Sequence, residues 1–398
     1  RGQPRRGPGG GGPVTAPVLL PVESWRILWR WRTDVIQLAD GTEQRASTSA
    51  LPRVYFAGPV DLTDAQQRAL HATLLGSPTA TVPVAQPHEG TPTTAAVTGA
   101  AAVVDATYCD WIANGQRVLV VGAGGASFDT TISSFSGGSL TLAAGPTSGT
   151  YPAGVTMVYP CVNTFLDDGQ AVTRWPVNLT RWQLAGRQQV AAAIGGAGGS
   201  AVTTYASLPV LVDRPLIAGA DGESYRGGLE WADAGGAVAV SSTWLRGARA
   251  RAGTWLIRGA AARQRWKVLL GTLRGRWKPL LAPTWRPDAT LQAQPAGGAT
   301  TLRLVESLAD LAPVGQAAHV QLEFADGSVT YRTISGITDA GAYRQATLTA
   351  ALPGPIPGGS VRIVSMLELV RLDTDDVQLE FRGDWTGRVT LPLVRVAG

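Results

Sequence analysis

From Leu28 onward the chain alternates apolar and basic positions, so Trp29 and Trp31 fall on one side of an extended strand and Arg30 and Arg32 on the other. That pattern predicts a strand with one face built for burial. PRVYFAG (Pro52 to Gly58) predicts another strand, after which the period changes. Over DLTDAQQRALHATLL the spacing predicts a helix at about 62–75, with Asp61 or Thr63 accepting its first free N–H groups and Gly76 and Pro78 ending it. A second helix is predicted at about 260–274. There Trp266, Leu269, Leu270 and Leu273 stand at i, i+3, i+4 and i+7, a single apolar stripe suited to packing on a sheet, and the opposite face carries Arg263, Lys267 and Arg274. Elsewhere short Val/Thr/Leu runs lie between Gly, Pro, Asp and Ser clusters and predict strands and turns, with Asp326-Gly327 marking a hairpin.

The same succession occurs twice. TTISSF (Thr130 to Phe135), LTLAA, PAGVTMVYPC, LDDG and RW (Arg174, Trp175) are echoed by YRTISGI (Tyr331 to Ile337), LTAAL, PGGSVRIVSM, LDTDD and EF (Glu380, Phe381). From Pro152 to Trp175 the offset holds near 206 residues. Upstream, QQRALHATLLG with VPVAQP matches RQRWKVLLGTLRG with KPLLAP, placing Pro83 and Pro87 on Pro279 and Pro283. Internal repetition points to architecture before chemistry.

The fold expected is mainly β: a tandemly duplicated unit, each copy an antiparallel β-sandwich or barrel-like domain with one flanking helix plus a small β domain. The boundaries fall at 1–20 for a flexible basic arm, 21–90 and 91–185 for the first copy's two domains, 186–208 for a linker centred on IGGAGGS, and 209–290 and 291–398 for the second copy.

Composition agrees with this reading. Among 398 residues there are 49 Gly and 26 Pro, only 16% are charged, and an apolar content of 44% excludes general disorder. The net charge of +5 is modest, but from Gly235 to Pro287 no Asp or Glu occurs while Arg246, Arg249, Arg251, Arg258, Arg263, Arg265, Lys267, Arg274, Arg276, Lys278 and Arg286 do. Such a run reads first as a solvated or subunit-facing surface and second as a contact for DNA or another polyanion. Cys109 and Cys161 flank the first small β domain without counterparts in the second copy, so the fold does not require a disulfide; packed thiols are the plainer reading beside a bridge within that domain. No run of 18 apolar residues occurs, so no membrane insertion is expected. RGQPRRGPGGGGP lacks the apolar core of a secretion signal.

Candidate chemistry is sparse. QRVLVVGAGGAS carries Gly122-x-Gly124, but a dinucleotide turn needs a helix next and FDTTISSFSGGSLTL is strand-like, so a hairpin turn explains the glycines. His71, His88 and His319 are widely separated, and Asp167-Asp168 with Asp373, Asp375 and Asp376 fit turns that bond their own backbone better than a Ca²⁺ loop. No Gly-x-Ser-x-Gly elbow or phosphate loop occurs, and neither an enzyme nor a cofactor or metal is expected. Thirteen tryptophans ask for large apolar contacts, in the core, between subunits or as a carbohydrate platform.

RQRWKVLLGTLRGRWKPLLAPTWRPDATL (Arg263 to Leu291), followed by VRLDTDDVQLEF (Val370 to Phe381), resembles tail-tip proteins (distal tail or baseplate hub) of long-tailed, non-contractile bacteriophages. The matching residues are Trp266, Gly275, Arg276, Pro283, Thr284, Trp285, Arg286, Asp288, Arg371, Asp375 and Leu379. This resemblance covers the second half and reaches the first only through the repeat. It implies a structural virion protein, assembled in the host cytoplasm, whose ring joins the tail tube to the distal hub or fibres. Its expected partners are further copies of itself (three chains imitating six subunits, or six chains), the tail tube, the tape-measure and other tail-tip proteins, and DNA in transient passage. The candidate interface residues are Trp29, Trp31, Arg263, Trp266, Arg274, Arg276, Trp277, Trp285 and Arg286. The alternative is a carbohydrate-binding β protein for adsorption to the host surface.

Overall fold

The computed structural model describes residues 16–37, 43–77, 79–107, 109–167, 170–175, 179–189, 202–216, 223–226, 229–233, 238–242, 248–305, 318–383 and 386–396. It is mainly β, with two α-helices among the described residues. The IGGAGGS linker, most of the N-terminal arm, Arg246 and Asp168 lie outside those residues.

Four strands open the chain: β1 (Ser24–Arg30), β2 (Thr33–Gln37), β3 (Glu43–Ser47) and β4 (Arg53–Thr63). β1 follows the predicted alternation, with Trp25, Ile27 and Trp29 buried and Arg26 and Arg30 exposed. α1 (Asp64–Gly76) starts on Thr63, whose hydroxyl accepts from the Gln66 amide while the Gln66 side chain accepts from Thr63 N–H. Asp61, the other candidate cap, instead holds Arg181. Then come β5 (Thr81–Ala85), β6 (Thr91–Pro92), β7 (Ala101–Val103), β8 (Arg117–Val121), β9 (Ser127–Ser136) and β10 (Ser139–Leu142). β8 and β9 pair antiparallel around Gly122 to Ala126, so the glycines there turn a hairpin. The half closes with β11 (Met157–Leu166), β12 (Ala171–Trp175) and β13 (Leu179–Gln188).

After β14 (Thr204–Tyr205), β15 (Leu208–Pro209), β16 (Glu223–Arg226), β17 (Leu229–Asp233) and β18 (Val238–Ser242), β19 (Ala248–Arg258) runs directly into α2 (Gly259–Leu273). The remaining strands are β20 (Leu280–Pro283), β21 (Thr301–Leu304), β22 (Ala318–Phe324), β23 (Val329–Asp339), β24 (Arg344–Leu348), β25 (Val361–Leu372), β26 (Asp376–Arg382) and β27 (Thr386–Arg395). β22 and β23 form the hairpin predicted at Asp326-Gly327.

The ladders run in the same order in both halves, all antiparallel. In the first, β4 pairs β13, β13 pairs β12 and β11, β11 pairs β5 and β8, β8 pairs β9, β9 pairs β10, and β10 pairs β7. In the second, β19 pairs β27, β27 pairs β26 and β25, β25 pairs β20 and β22, β22 pairs β23, β23 pairs β24, and β24 pairs β21.

The small domains drawn from the sequence, 91–185 and 291–398, take in strands that these ladders pair elsewhere. β12 and β13 return to β4 instead of closing the small domain, and β26 and β27 return to β19. A linear reading misses such a return because the long strands β11 and β25 each change partners along their length, pairing with one strand early and another late. Each small domain keeps its own core, around Val118, Ile132, Leu140 and Val158 in the first half and around Leu302, Leu322, Phe324 and Val364 in the second. The larger domains share one core that includes Ile27, Phe56, Leu70 and Trp182 together with Trp255, Trp266, Leu270 and Phe381. The Trp266, Leu269, Leu270, Leu273 stripe is buried as its spacing predicts.

Candidate functional site

The seam where the halves meet carries three sets of specific contacts. β1 is its first component, pairing β4 over Arg26 to Arg30 and, on its other edge, β26 over its whole length from Ser24 opposite Arg382 to Arg30 opposite Asp376. Order across the seam is therefore β12, β13, β4, β1, β26, β27, β19, β16. Arg30 donates twice to Asp376, at 2.7 and 2.8 Å, at an exposed position where such a pair adds under about 1 kcal/mol. Where β1 meets β26 and β27 a cleft of about 500 Å³ opens between Trp25, Arg26, Glu380, Phe381 and Arg388.

A buried charge cluster is the second component. α2 presents Arg263 and Lys267 to the first half, where Pro87–Glu89 makes one 3-10 turn. Lys267 Nζ lies 3.1 Å from Glu89 Oε1 and 2.7 Å from Asp110 Oδ1; Arg263 donates to the His88 carbonyl and stands 3.7 Å from Glu89 Oε2. Two cations thus meet two carboxylates with almost no solvent. Burial alone would raise the Glu89 carboxyl, but Lys267 and Arg263 reverse that and bring it to about 2. Burial pushes the His88 imidazole down to about 3 against the pull of Glu89, so the ring is neutral and stacks on Phe381 at 5.0 Å between centroids.

Both groups make the seam acid-sensitive in the same direction. An unfolded His88 takes up a proton near 6.5, the folded one only near 3, so its contribution is complete above 6.5 and is lost as pH falls toward 3. Glu89 adds a loss between 4.5 and 2. Unfolding free energies measured from pH 7.5 to 5 are expected to fall below pH 6.5 with a limiting slope of about 1.4 kcal/mol per pH unit, and His88→Gln is expected to flatten that segment. A wild-type profile that stays level down to pH 5 would contradict a buried neutral His88.

Asp375, at the turn between β25 and β26, is the third component. Its carboxylate accepts from Thr33 N–H at 2.7 Å and from Arg276 N–H at 2.9 Å, and Arg276 reaches on to the Thr33 carbonyl at 3.2 Å. α2 ends just before this point with Arg274 left-handed at φ 52° and Gly275 at φ 67°, where a side chain would strike Asp375. Beside it Arg371 grips Glu43 of β3 with two bonds of 2.7 and 2.8 Å, both side chains buried. Farther along, Asp288 accepts from the Thr284 hydroxyl and from Met366 N–H.

The predicted interface residues separate accordingly. Trp29, Trp31, Arg263 and Trp266 are buried within the chain, so they build its own core and seam and have no surface to offer a partner. Arg274, Arg276, Trp277 and Trp285 are half-buried and Arg286 is exposed. Trp277 lies under Arg274 and Lys278, and Trp285 under Arg251, at 4.7 to 5.4 Å. Other members of the basic run are answered inside the chain as well: Arg251 faces Glu368, Arg265 faces Asp213, and Arg276 faces Asp375. These members of a one-sign run along the sequence do not form a one-sign patch on the surface, because their acidic partners arrive from segments more than 50 residues away. No local sequence pattern marks Glu89, Asp110 or Glu43, whose cationic partners lie far along the chain.

His71 packs on Trp182, and His319 bonds Thr333. Cys109 and Cys161 are both free and buried, with burial raising their thiols to about 11 and about 12. No helix among the described residues is long and apolar enough to cross a membrane, which leaves open crossing by strands. No protein-family model matches the chain, and no curated protein matches its sequence.

Proposed function

We propose that the chain is an architectural protein of a phage tail tip, two fused copies of one module, in which a ring of chains joins the tail tube to the distal hub or fibres. The observation that carries this reading is the identical succession of eight ladders in residues 53–188 and 248–395, which coincides with the sequence repeat. Cys161 sits opposite Ala85 as Leu367 sits opposite Pro283, so the ladders equate Ala85 with Pro283 and shift the Pro83 to Pro279 match read from sequence by two residues. A duplicated module with a well-paired seam is suited to geometry: three chains supply six similar units to a sixfold tube and three to what lies below it.

The glycan-binding alternative has less support. It needs exposed aromatic platforms, whereas among the described side chains Trp25, Trp29, Trp31, Trp182, Trp255 and Trp266 are buried and Trp111, Trp277 and Trp285 half-buried. Of the basic run, Arg263 and Lys267 on α2 are engaged with Glu89 in the seam.

Averaged images of particles carrying a labelled copy of this chain test the reading. The label is expected at the distal end of the tail, in three equivalent places around the axis. Label absent from purified particles would remove the tail-tip reading, and six equivalent places would remove the three-chain ring.

A further inference from the structure

The seam inside the chain has a free counterpart at each outer end of the sheet. On one side stands β12, which among the described residues pairs only with β13; on the other stands β16, which pairs only with β19. These strands occupy the places of the two that form the seam. β26 lies on β27 as β12 lies on β13. β16 lies on β19 as β1 lies on β4, and β4 and β19 are each eleven residues long and each run into a helix.

The approach to the strand repeats too. Before β1, Leu19 N–H donates to Pro83 O and Val22 N–H to Pro59 O; before β16, Leu211 N–H donates to Leu281 O and Leu216 N–H to Thr254 O. Pro59 and Thr254 are each the seventh residue of their strand.

We infer that β16 of one copy of this chain pairs antiparallel with β12 of the next, reproducing between chains the β1 to β26 joint made within each. This rests on the two-module ring proposed above and names the surface that closes it. Transferring the seam's register puts Ser224 opposite Ala171, as Leu28 is opposite Gln378. Both residues are exposed in the single chain. So are apolar side chains that a neighbour would cover: Val172 on β12 at 40%, Leu216 on the approach to β16 at 39%, and Leu75 at the end of α1 at 86%. An unpaired strand edge with apolar flanks invites pairing with another chain. The occupant is a second copy because the edge that takes the place of β26 is on the same molecule as the edge that takes the place of β1. A joint of this kind is head-to-tail, so it either closes into a ring or grows into a filament. With two modules per chain, six positions close after three chains.

The full chain carrying Ser224→Cys and Ala171→Cys tests this under mild oxidation, since Cys109 and Cys161 are buried and give little background. Directly opposed β-carbons fall within disulfide reach, so a covalent species of three chain masses is expected on a non-reducing gel. Ser224→Cys with Thr173→Cys, two residues out of register and roughly 7–8 Å apart, is expected to cross-link about tenfold less. Light scattering of Val172→Lys gives a second readout independent of thiols. A folded protein of one chain mass supports the joint, whereas an unchanged oligomer overturns it. Equal cross-linking of both cysteine pairs, or none in a protein that is oligomeric, also overturns it. A tail-tip label with no in-register cross-link would sink the joint and leave the tail-tip reading standing; cross-linked rings from a chain absent from particles would do the reverse.

Discussion

Glu89→Gln is expected to destabilise the protein by about 3–5 kcal/mol, a fall readily seen in the urea or thermal midpoint. The substitution keeps the shape of the side chain and removes one charge from a site where Lys267 and Arg263 are both buried and Glu89 stands 3.1 and 3.7 Å from them. Asp110 alone would then face two cations. The charge cannot be replaced by water, because Glu89 and Arg263 are 7% and 3% exposed. Partial relief should follow from Lys267→Met in the same chain, which returns the cluster to one cation and one carboxylate. The double variant is therefore expected to be more stable than the sum of the single changes predicts. Strict additivity would mean that Lys267 and Glu89 are not coupled and that Asp110 carries the pair alone. Because this cluster joins α2 to the first half, the loss should appear as a weakening of the seam, with the small domains, which have separate cores, melting less affected.

That cluster also marks where sequence reading succeeds and where it fails. The positions of both helices, the cap at Thr63, the buried Trp266 stripe and the burial of Trp29 and Trp31 follow from periodicity, a local property that the chain carries in every window. The two hairpin turns follow from glycine and aspartate placement for the same reason. From the sequence the basic run that includes Arg263 and Lys267 reads as a solvated or subunit-facing surface, whereas both side chains turn to Glu89 inside the chain. A lysine on the polar side of an amphipathic helix looks the same whether water or a distant carboxylate lies opposite, and Glu89 and Asp110 are more than 150 residues away. The domain limits failed similarly, since nothing in the local pattern of β13 says that it returns to β4. Asp375 and Arg276 were legible as members of a recurring motif, but their task was not: the motif holds the end of α2 against the turn before β26 and the start of β2.

Asp375→Ala is the other change with a large expected effect. Its carboxylate satisfies two backbone donors on different elements, Thr33 N–H and Arg276 N–H, and stands 3.8 Å from the Arg276 guanidinium. An orphaned buried donor costs about 1–3 kcal/mol, the half-buried Arg276 N–H less than the buried Thr33 N–H, so a loss of about 2–5 kcal/mol is expected. Asp375→Asn distinguishes the contributions: its amide oxygen can still accept a hydrogen bond, so it should lose less than alanine, and the difference from wild type reports mainly the charge facing Arg276. Gly275→Ala attacks the same point from the other side, forcing a β-carbon into Asp375 at φ 67°. If Asp375 anchors the end of α2, Gly275→Ala and Asp375→Ala should each loosen amide protection at Thr33 and Arg276, and combining them should add little to the larger single effect. Full additivity of the two, with protection at Thr33 unchanged, would show that the turn before β26 does not hold α2 and β2 together.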